Sequence, residues 1–374
     1  MINVFLTRCV AFFCLLFFPL AASATDAWLK SYANYVRSQA VKYKIPGYAF
    51  VFYEQGKTPQ IFVYGKTHNK GDKIDAETRF RLASVSKTFT GVLMAKLARQ
   101  RTFSLDTPVE TLLPELDFTG KGMDGLQLQH IVGQSSGFMP NAYDNLIEAD
   151  YSLTRVLKQL STLEPLCAPG KCYTYQNALF GTIEAYFNSQ NTSYHRQLQE
   201  QLFIPLGMTG ASAGKGALIA KDNWARPHIA IARNRWREGK IESNYYRFSP
   251  AAGVNASIRD MTIWLQAMLG EFPTVVPDAI IEDVTTPRVK TTKEIYRRGW
   301  KRHLFDAHYG LGWRIYNFEG ETLVYHGGWV KGYRADVAFM PDRGVGYVML
   351  MNAESNMINS TTAKLWDSYL DQVK

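Results

Sequence analysis

The sequence predicts a mixed α/β (α+β) fold: one antiparallel sheet built from both chain ends, flanked by helices, with a mainly helical subdomain inserted. Three observations predict it. Runs of strand character stand near the start (47–53, 60–64) and near the end (311–316, 322–325, 335–340, 345–351). Between them, apolar residues recur at helical spacing and turn residues interrupt often. Each end also carries an amphipathic helix able to cover a sheet face.

Taken in order, residues 28–44 put Trp28, Tyr32, Tyr35, Val36 and Ala40 on one helix face. Strands 47–53 and 60–64 are parted by Gln55-Gly56-Lys57, a turn sequence. Residues 84–99 place Val85, Phe89, Val92, Leu93, Ala95 and Leu97 at helical period, and 153–160, 194–203 and 261–269 repeat that pattern. Pro341-Asp342-Arg343-Gly344 joins the last two strands as a hairpin, and helix 360–373 offers Leu365, Trp366, Tyr369 and Leu370. No internal repeat or low-complexity linker divides the chain. The expected unit is a single domain over 25–374, with its sheet part at about 25–80 and 305–374 and its helical part at about 81–304. A pocket belongs at the junction of the two parts.

The first 24 residues stand apart from this unit. Arg8 is followed by 14 apolar residues (9–22) and then Ala22-Ser23-Ala24, the order of a secretory signal. Fourteen residues are too short to span a bilayer, so no membrane span is expected once the signal is removed. Cys9 and Cys14 leave with it, and Cys167 and Cys172 remain, five apart across a Pro-Gly turn. With no second Cys pair and no nearby His, these two are expected to form a disulfide in an oxidising, periplasmic compartment rather than a metal site. No metal or other cofactor is expected.

A net charge of +9 invites a nucleic-acid reading, yet it is not organised as one. The single basic run Arg297-Arg298…Lys301-Arg302 is read as a solvated face, and no nucleic-acid partner is expected.

Three short motifs carry chemistry. Ser84-Val85-Ser86-Lys87 opens a predicted helix, so the Lys87 amine falls one turn from the Ser84 hydroxyl, near free N–H groups and the positive helix end. Shielded from water, that amine can lose its proton and act as a base toward the serine. The second S-x-x-K, Ser212-Ala213-Gly214-Lys215, lies in an aperiodic Gly/Ala run and is read as chance; the run also lacks the P-loop glycine spacing. In Tyr175-Gln176-Asn177 a tyrosine beside a lysine can relay protons, and the Asn amide can hold a substrate carbonyl. Tyr32-Ala33-Asn34, Tyr143-Asp144-Asn145 and Tyr186-Phe187-Asn188 share the Y-x-N spacing, but the Cys167–Cys172 turn would brace the Tyr175 loop. His326-Gly327-Gly328 follows a strand, where glycines admit close backbone approach; the next N–H, that of Trp329, can join that of Ser84 as an oxyanion hole. Lys331 and Arg334, close behind, are candidates to receive a substrate carboxylate.

In this order, S-x-x-K, Y-x-N and H-G-G resemble the serine β-lactamase and DD-peptidase superfamily, and more closely its class C β-lactamase-like branch of related serine hydrolases. Phe80-Arg81-Leu82-Ala83, Ser136-Gly137, Pro205-Leu206-Gly207-Met208, Gly253-Val254-Asn255-Ala256-Ser257 and Tyr309-Gly310-Leu311-Gly312-Trp313 extend the likeness over the mature chain. The resemblance implies a sheet domain and a helical domain with the site between them. It implies Ser84 as acylated nucleophile, Lys87 as proton acceptor, Tyr175 as partner acid and base, and Asn177 as substrate ligand. His326 stands where class C β-lactamases carry the Lys of K-T-G, which implies acylation by β-lactams without fast hydrolysis. The implied activity is an exported acyl-serine hydrolase on amide or ester bonds of small-molecule or peptide substrates, such as D-amino acid peptides. The alternatives are a class C-type β-lactamase and a low-turnover penicillin or cell-wall-fragment binder. Specificity is expected from loops 140–151 and 285–304.

Overall fold

The apolar runs at the two ends of the chain pair with each other. The structure, a computed structural model, describes residues 27–118, 123, 125–297 and 299–373; the expected signal lies outside these. In chain order the strands are β1 (Gly47–Glu54), β2 (Gln60–Gly65), β3 (Arg79–Arg81), β4 (Ser212–Ala213), β5 (His228–Ala232) and β6 (Arg235–Glu238). They continue with β7 (Val254–Ser257), β8 (Val289–Lys290), β9 (Leu304–Tyr309), β10 (Arg314–Phe318), β11 (Glu321–Val330), β12 (Tyr333–Met340) and β13 (Val345–Met351). Eight of them form one antiparallel sheet in the order β2-β1-β13-β12-β11-β10-β9-β8. Tyr48 of β1 lies opposite Met351 of β13, and Glu54 opposite Val345.

β12 and β13 are buried at every position, because both faces of the sheet are covered. On one face, α1 (Ala27–Tyr43) and the C-terminal helix Met357–Val373 enclose Tyr32, Phe50, Trp300, Tyr325, Tyr347 and Trp366. On the other, α2 (Ser86–Arg99) packs Phe89, Val92 and Leu93 into a core shared with Val51, Val337, Val348 and Leu350. Nearly every residue of α2 is buried, so it forms the axis of the helical part rather than a surface helix.

Several boundaries differ from the sequence expectation for physical reasons. β11 runs on to Val330, through His326-Gly327-Gly328, because β12 pairs it residue by residue from Val324 to Val330. β10 starts only at Arg314; the residues before it press on α2, where a Cβ at Gly91 or Gly312 would strike backbone of Leu311 or Lys87. The predicted helix 194–203 is α-helical over Tyr194–Leu198 and then opens into a π turn, Gln199–Phe203, just ahead of Pro205. The middle of the chain also holds strands: β3, β7 and β4 form a small sheet, and β5–β6 a hairpin whose side chains are mostly exposed and lack a buried alternation.

Candidate active site

β3 ends at Arg81, and the chain enters α2 through a 3-10 turn, Ala83–Val85, in which Ala83 adopts φ 51°. The predicted helix therefore begins two residues later than Ser84, and the serine sits on the tight turn before it. A left-handed alanine is strained backbone, which persists where surrounding structure over-determines it. Lys87 is wholly buried. Its Nζ lies within reach of Ser84 Oγ (3.4 Å), Asn177 Oδ1 (2.7 Å) and the Ala251 carbonyl (3.1 Å): as an ammonium it donates to all three, and as a neutral amine it keeps the two shorter bonds and turns its lone pair to the Ser84 hydroxyl. The Tyr175 ring lies 4.8 Å from Nζ. Burial lowers the Lys87 pKa from the ordinary lysine range, which favours its use as a base.

Tyr175 and Asn177 ride on a loop fastened from behind. Cys167 and Cys172 form the expected disulfide, with Cα atoms 6.3 Å apart. The loop they close bonds to segment 134–141: Gly170 N–H to the Ser135 carbonyl (2.7 Å), Thr174 N–H to the Gln134 carbonyl (2.8 Å) and Gln176 N–H to Gln134 Oε1 (2.6 Å). The rival motifs separate in space. Ser212 bonds Asn255 on β7 whereas Lys215 reaches Ser243, and their run is short strand β4 plus a helix start rather than a loop. Tyr143 packs against the core and Asn145 is exposed.

β11 lies against the serine turn because Gly328 has no side chain. A Cβ there would collide with the Leu82 carbonyl and crowd Ala83 Cβ (3.1 Å) and Ser84 N (3.2 Å). Gly327 is equally constrained, since a Cβ would meet the Tyr325 hydroxyl and Asp336 Oδ1. Lys331-Gly332 is a two-residue hairpin connection, so Val330 and Tyr333 close the ladder and Trp329 falls in a non-hydrogen-bonded pair with Arg334. Its N–H then points away from β12, and β10 ends at Arg314 opposite Tyr325, leaving that N–H for another acceptor. The Trp329 side chain is on the exposed rim of the cleft.

His326 is buried on the α2 side of β11. Its Nε2 meets the Tyr309 hydroxyl (3.0 Å) and Arg314 Nη1 (3.2 Å), and its Nδ1 the Gly327 carbonyl (2.9 Å). An arginine can only donate, so Nε2 accepts and Nδ1 carries the proton. Burial, then Arg314 and Lys87, push its pKa well below the ordinary histidine range, and the imidazole is neutral.

The fixed charge beside this strand is Arg314, which the motifs did not point to. It is largely but not wholly buried, with its guanidinium 5.3 Å from the Tyr175 ring centre. Arg297, Arg314 and Arg334 line one end of a cleft of about 1060 Å³ that also contains Ser84, Tyr175 and Asn177. Glu294 pairs with Arg314 (3.6 Å) and Arg297 (3.8 Å); Arg334 makes no ion pair among the described residues, bonding only Asn356 and Asn359. Burial acts to raise the Glu294 pKa, but Arg314 and Arg297 outweigh it and hold the carboxyl below its usual range. Arg297 is thus a cleft residue, not part of a solvated face: the sequence showed a basic run but not the carboxylate that folds one member inward. Lys301 and Arg302 are exposed as expected, and Arg298 lies outside the described residues. Lys331, at the exposed rim, pairs with Glu242 (2.6 Å).

The second residue missed is Asp144, from loop 140–151, whose Oδ2 accepts from Asn177 Nδ2 (2.7 Å). The available signal was the rival Tyr143-Asp144-Asn145, read for its outer residues when the middle one faces the site. Burial raises the Asp144 carboxyl to about 6, against the hydrogen bond from Asn177 and the charge of Lys87.

The sequence model of the family described as Beta-lactamase matches residues 32–369. The chain belongs to the Beta-lactamase family. A β-lactamase of Escherichia coli (strain K12) is 27% identical over 353 residues, covering 83% of this chain and 84% of that protein. A D-aminopeptidase of Gluconobacter oxydans (strain 621H) is 26% identical over 292 residues, covering 74% of this chain and 49% of that enzyme. The fold is similar to that of an octameric penicillin-binding protein homologue from Pyrococcus abyssi, with a TM-score of 0.79 at 20% identity over 92% of this chain and 78% of that one. As a Beta-lactamase family member the chain is a β-lactamase-related serine hydrolase. No described helix of it is long and apolar enough to cross a membrane.

Proposed function

We propose that this protein is an exported acyl-serine hydrolase acting on amide or ester bonds of short peptides, D-amino acid peptides among them, whose leaving group carries a carboxylate. The observation that carries the reading is the buried Lys87 amine held between Ser84 and Asn177 beneath Tyr175, in an open cleft. Ser84 Oγ attacks the scissile carbonyl carbon while its proton passes to Lys87, with Tyr175 as relay. The oxyanion takes hydrogen bonds from the Ser84 and Trp329 N–H groups. The C–N or C–O bond then breaks, the leaving group takes the proton, and water releases the acyl group by the same steps in reverse. Asn177 supports the substrate amide, and His326, Gly327 and Gly328 shape the wall along which it lies.

Arg334, which makes no ion pair among the described residues and lines the cleft beside Arg297 and Arg314, supports a carboxylate on the leaving-group side. Arg334 is the better placed of the two candidates behind the H-G-G motif, since Lys331 is already paired. Export is supported by the order of the first 24 residues and by the Cys167–Cys172 disulfide.

The test is to incubate the mature protein with a β-lactam and with an activated ester and to weigh it. A covalent adduct is expected with each, absent in Ser84→Ala, with the ester turned over and the β-lactam adduct persisting. No Ser84-dependent adduct with either reagent sinks the reading. Adducts that never turn over, on any ester or peptide, favour the binding-protein alternative.

A further inference from the structure

The side chain of Asn177 is held at both ends. Its Oδ1 accepts from Lys87 Nζ (2.7 Å), and its Nδ2 donates to Asp144 Oδ2 (2.7 Å). An amide has a donor end and an acceptor end, and a half-turn of the group exchanges them. After such a turn, Nδ2 would face the lysine, donor against donor, and Oδ1 would face a carboxylate, acceptor against acceptor. Neither neighbour alone fixes the amide as firmly as the pair does, because each penalises the flipped state independently.

We infer that Asp144 is a positioning residue for acyl transfer: by accepting from Asn177 Nδ2, it aims Oδ1 at Lys87 and leaves the second N–H for a substrate carbonyl. This rests on the acyl-serine reading above. Asp144 begins the helix Asp144–Glu148, and the residue before it, Tyr143, is left-handed (φ 62°), which turns the chain toward the cleft. The groups facing the carboxyl are Asn177, Lys87 on α2, Tyr245 from the 3-10 turn Asn244–Phe248, and Glu148 on its own helix. Tyr245 stands beside both carboxyls, its hydroxyl 3.5 Å from Glu148 Oε1.

A protonated Asp144 presents an O–H that can donate to Asn177 Oδ1, so the flipped amide ceases to be penalised at that end. Lys87 then loses its closest acceptor. Burial holds this titration near 6, the ordinary acid being well below. The acid limb of the reaction therefore reports Asp144.

The experiment measures kcat and KM for a chromogenic ester from pH 4.5 to 9 with the full mature chain, comparing wild type, Asp144→Asn and Asp144→Glu. Wild-type activity should fall below about pH 6. Asp144→Asn should lose that limb and lower kcat about 10–100-fold, the scale of a mispositioned group. KM should move less than about threefold, since ground-state binding is little touched. Asp144→Glu should restore part of kcat and the limb. The side-chain amide resonances of Asn177 give a readout that needs no turnover: they should titrate with the same midpoint in wild type and Asp144→Glu and stay flat in Asp144→Asn. An Asp144→Asn protein that keeps both kcat and the acid limb, or Asn177 resonances indifferent to pH, overturns the assignment. Failure of Ser84 to acylate overturns the functional reading instead and leaves the amide titration to decide this one.

Discussion

Ala83 spends backbone strain one residue before Ser84, the proposed nucleophile, and Gly328 gives up a side chain opposite it. Between them they set how near β11 comes to Ser84. Gly328→Ala should therefore lower kcat by about 10²-fold or more, since displaced oxyanion donors are worth that much, and lower the melting temperature through overpacking, while the circular dichroism spectrum of the folded protein is kept. An alanine variant with unaltered kcat would show that the strand has room to move. Arg314→Met should raise KM for substrates ending in a free carboxylate by about tenfold or more and leave their amides far less affected, as for a lost charge-assisted contact. Equal losses on both substrates would reduce Arg314 to a support for His326. At this scale Ser84, Lys87, Tyr175, Asn177 and the two glycines were legible in the sequence, because local spacing and backbone freedom speak through short motifs. Arg314 and Asp144 were not: each reaches the cleft by long-range packing, 12 residues before His326 and 33 before Asn177.

The elements that hold these residues are of unequal strength. The Cys167–Cys172 loop is short, so by loop-closure entropy its loss costs about 2 kcal/mol. Replacing both cysteines by serine should lower the denaturation midpoint by that much and reduce kcat more than it raises KM, because the Tyr175 loop hangs from it. Unchanged kinetics would mean the Gln134 hydrogen bonds suffice. Helix Gly181–Ser189 carries the opposite kind of feature, a partly buried Glu184 whose buried Oε2 has no partner among the described residues and whose carboxyl burial raises to about 7. The folded state holds this proton more tightly than the unfolded one. Glu184 therefore costs nothing at pH 4 and progressively destabilises as pH rises through about 7. Glu184→Gln should raise the melting temperature at pH 8 and not at pH 4.5; a gain independent of pH would contradict that sign. Long periodic elements such as α1, α2 and β13 were readable within a residue or two, since their burial is one-sided or total. β5, β6 and the π turn were not, because an exposed hairpin and a turn set by Pro205 leave little periodic trace.

For the molecule as a whole, the charge that first suggested a polyanion partner is distributed, and part of it is folded into the cleft as Arg297, Arg314 and Arg334. Behind that cleft the sheet rests on aromatic packing: Trp300 meets Tyr316, Phe318 and Tyr325, the last lying under Gly327. Trp300→Ala should cost about 3–5 kcal/mol of unfolding free energy, as for other large-to-small core changes. A loss below about 1 kcal/mol would mean this face tolerates a void. The architecture was legible because strand character clustered at both ends; the register was not, because one sequence does not reveal which run opposes which. That register has a temporal meaning. β1 is made early and its neighbour β13 nearly last, with 289 residues between Glu54 and Gly344, whose carbonyl binds the Gln55 N–H at the hairpin end. A chain made from its N-terminus cannot zip β1 onto β13 until its tail has emerged, so the topology itself delays closure of the sheet.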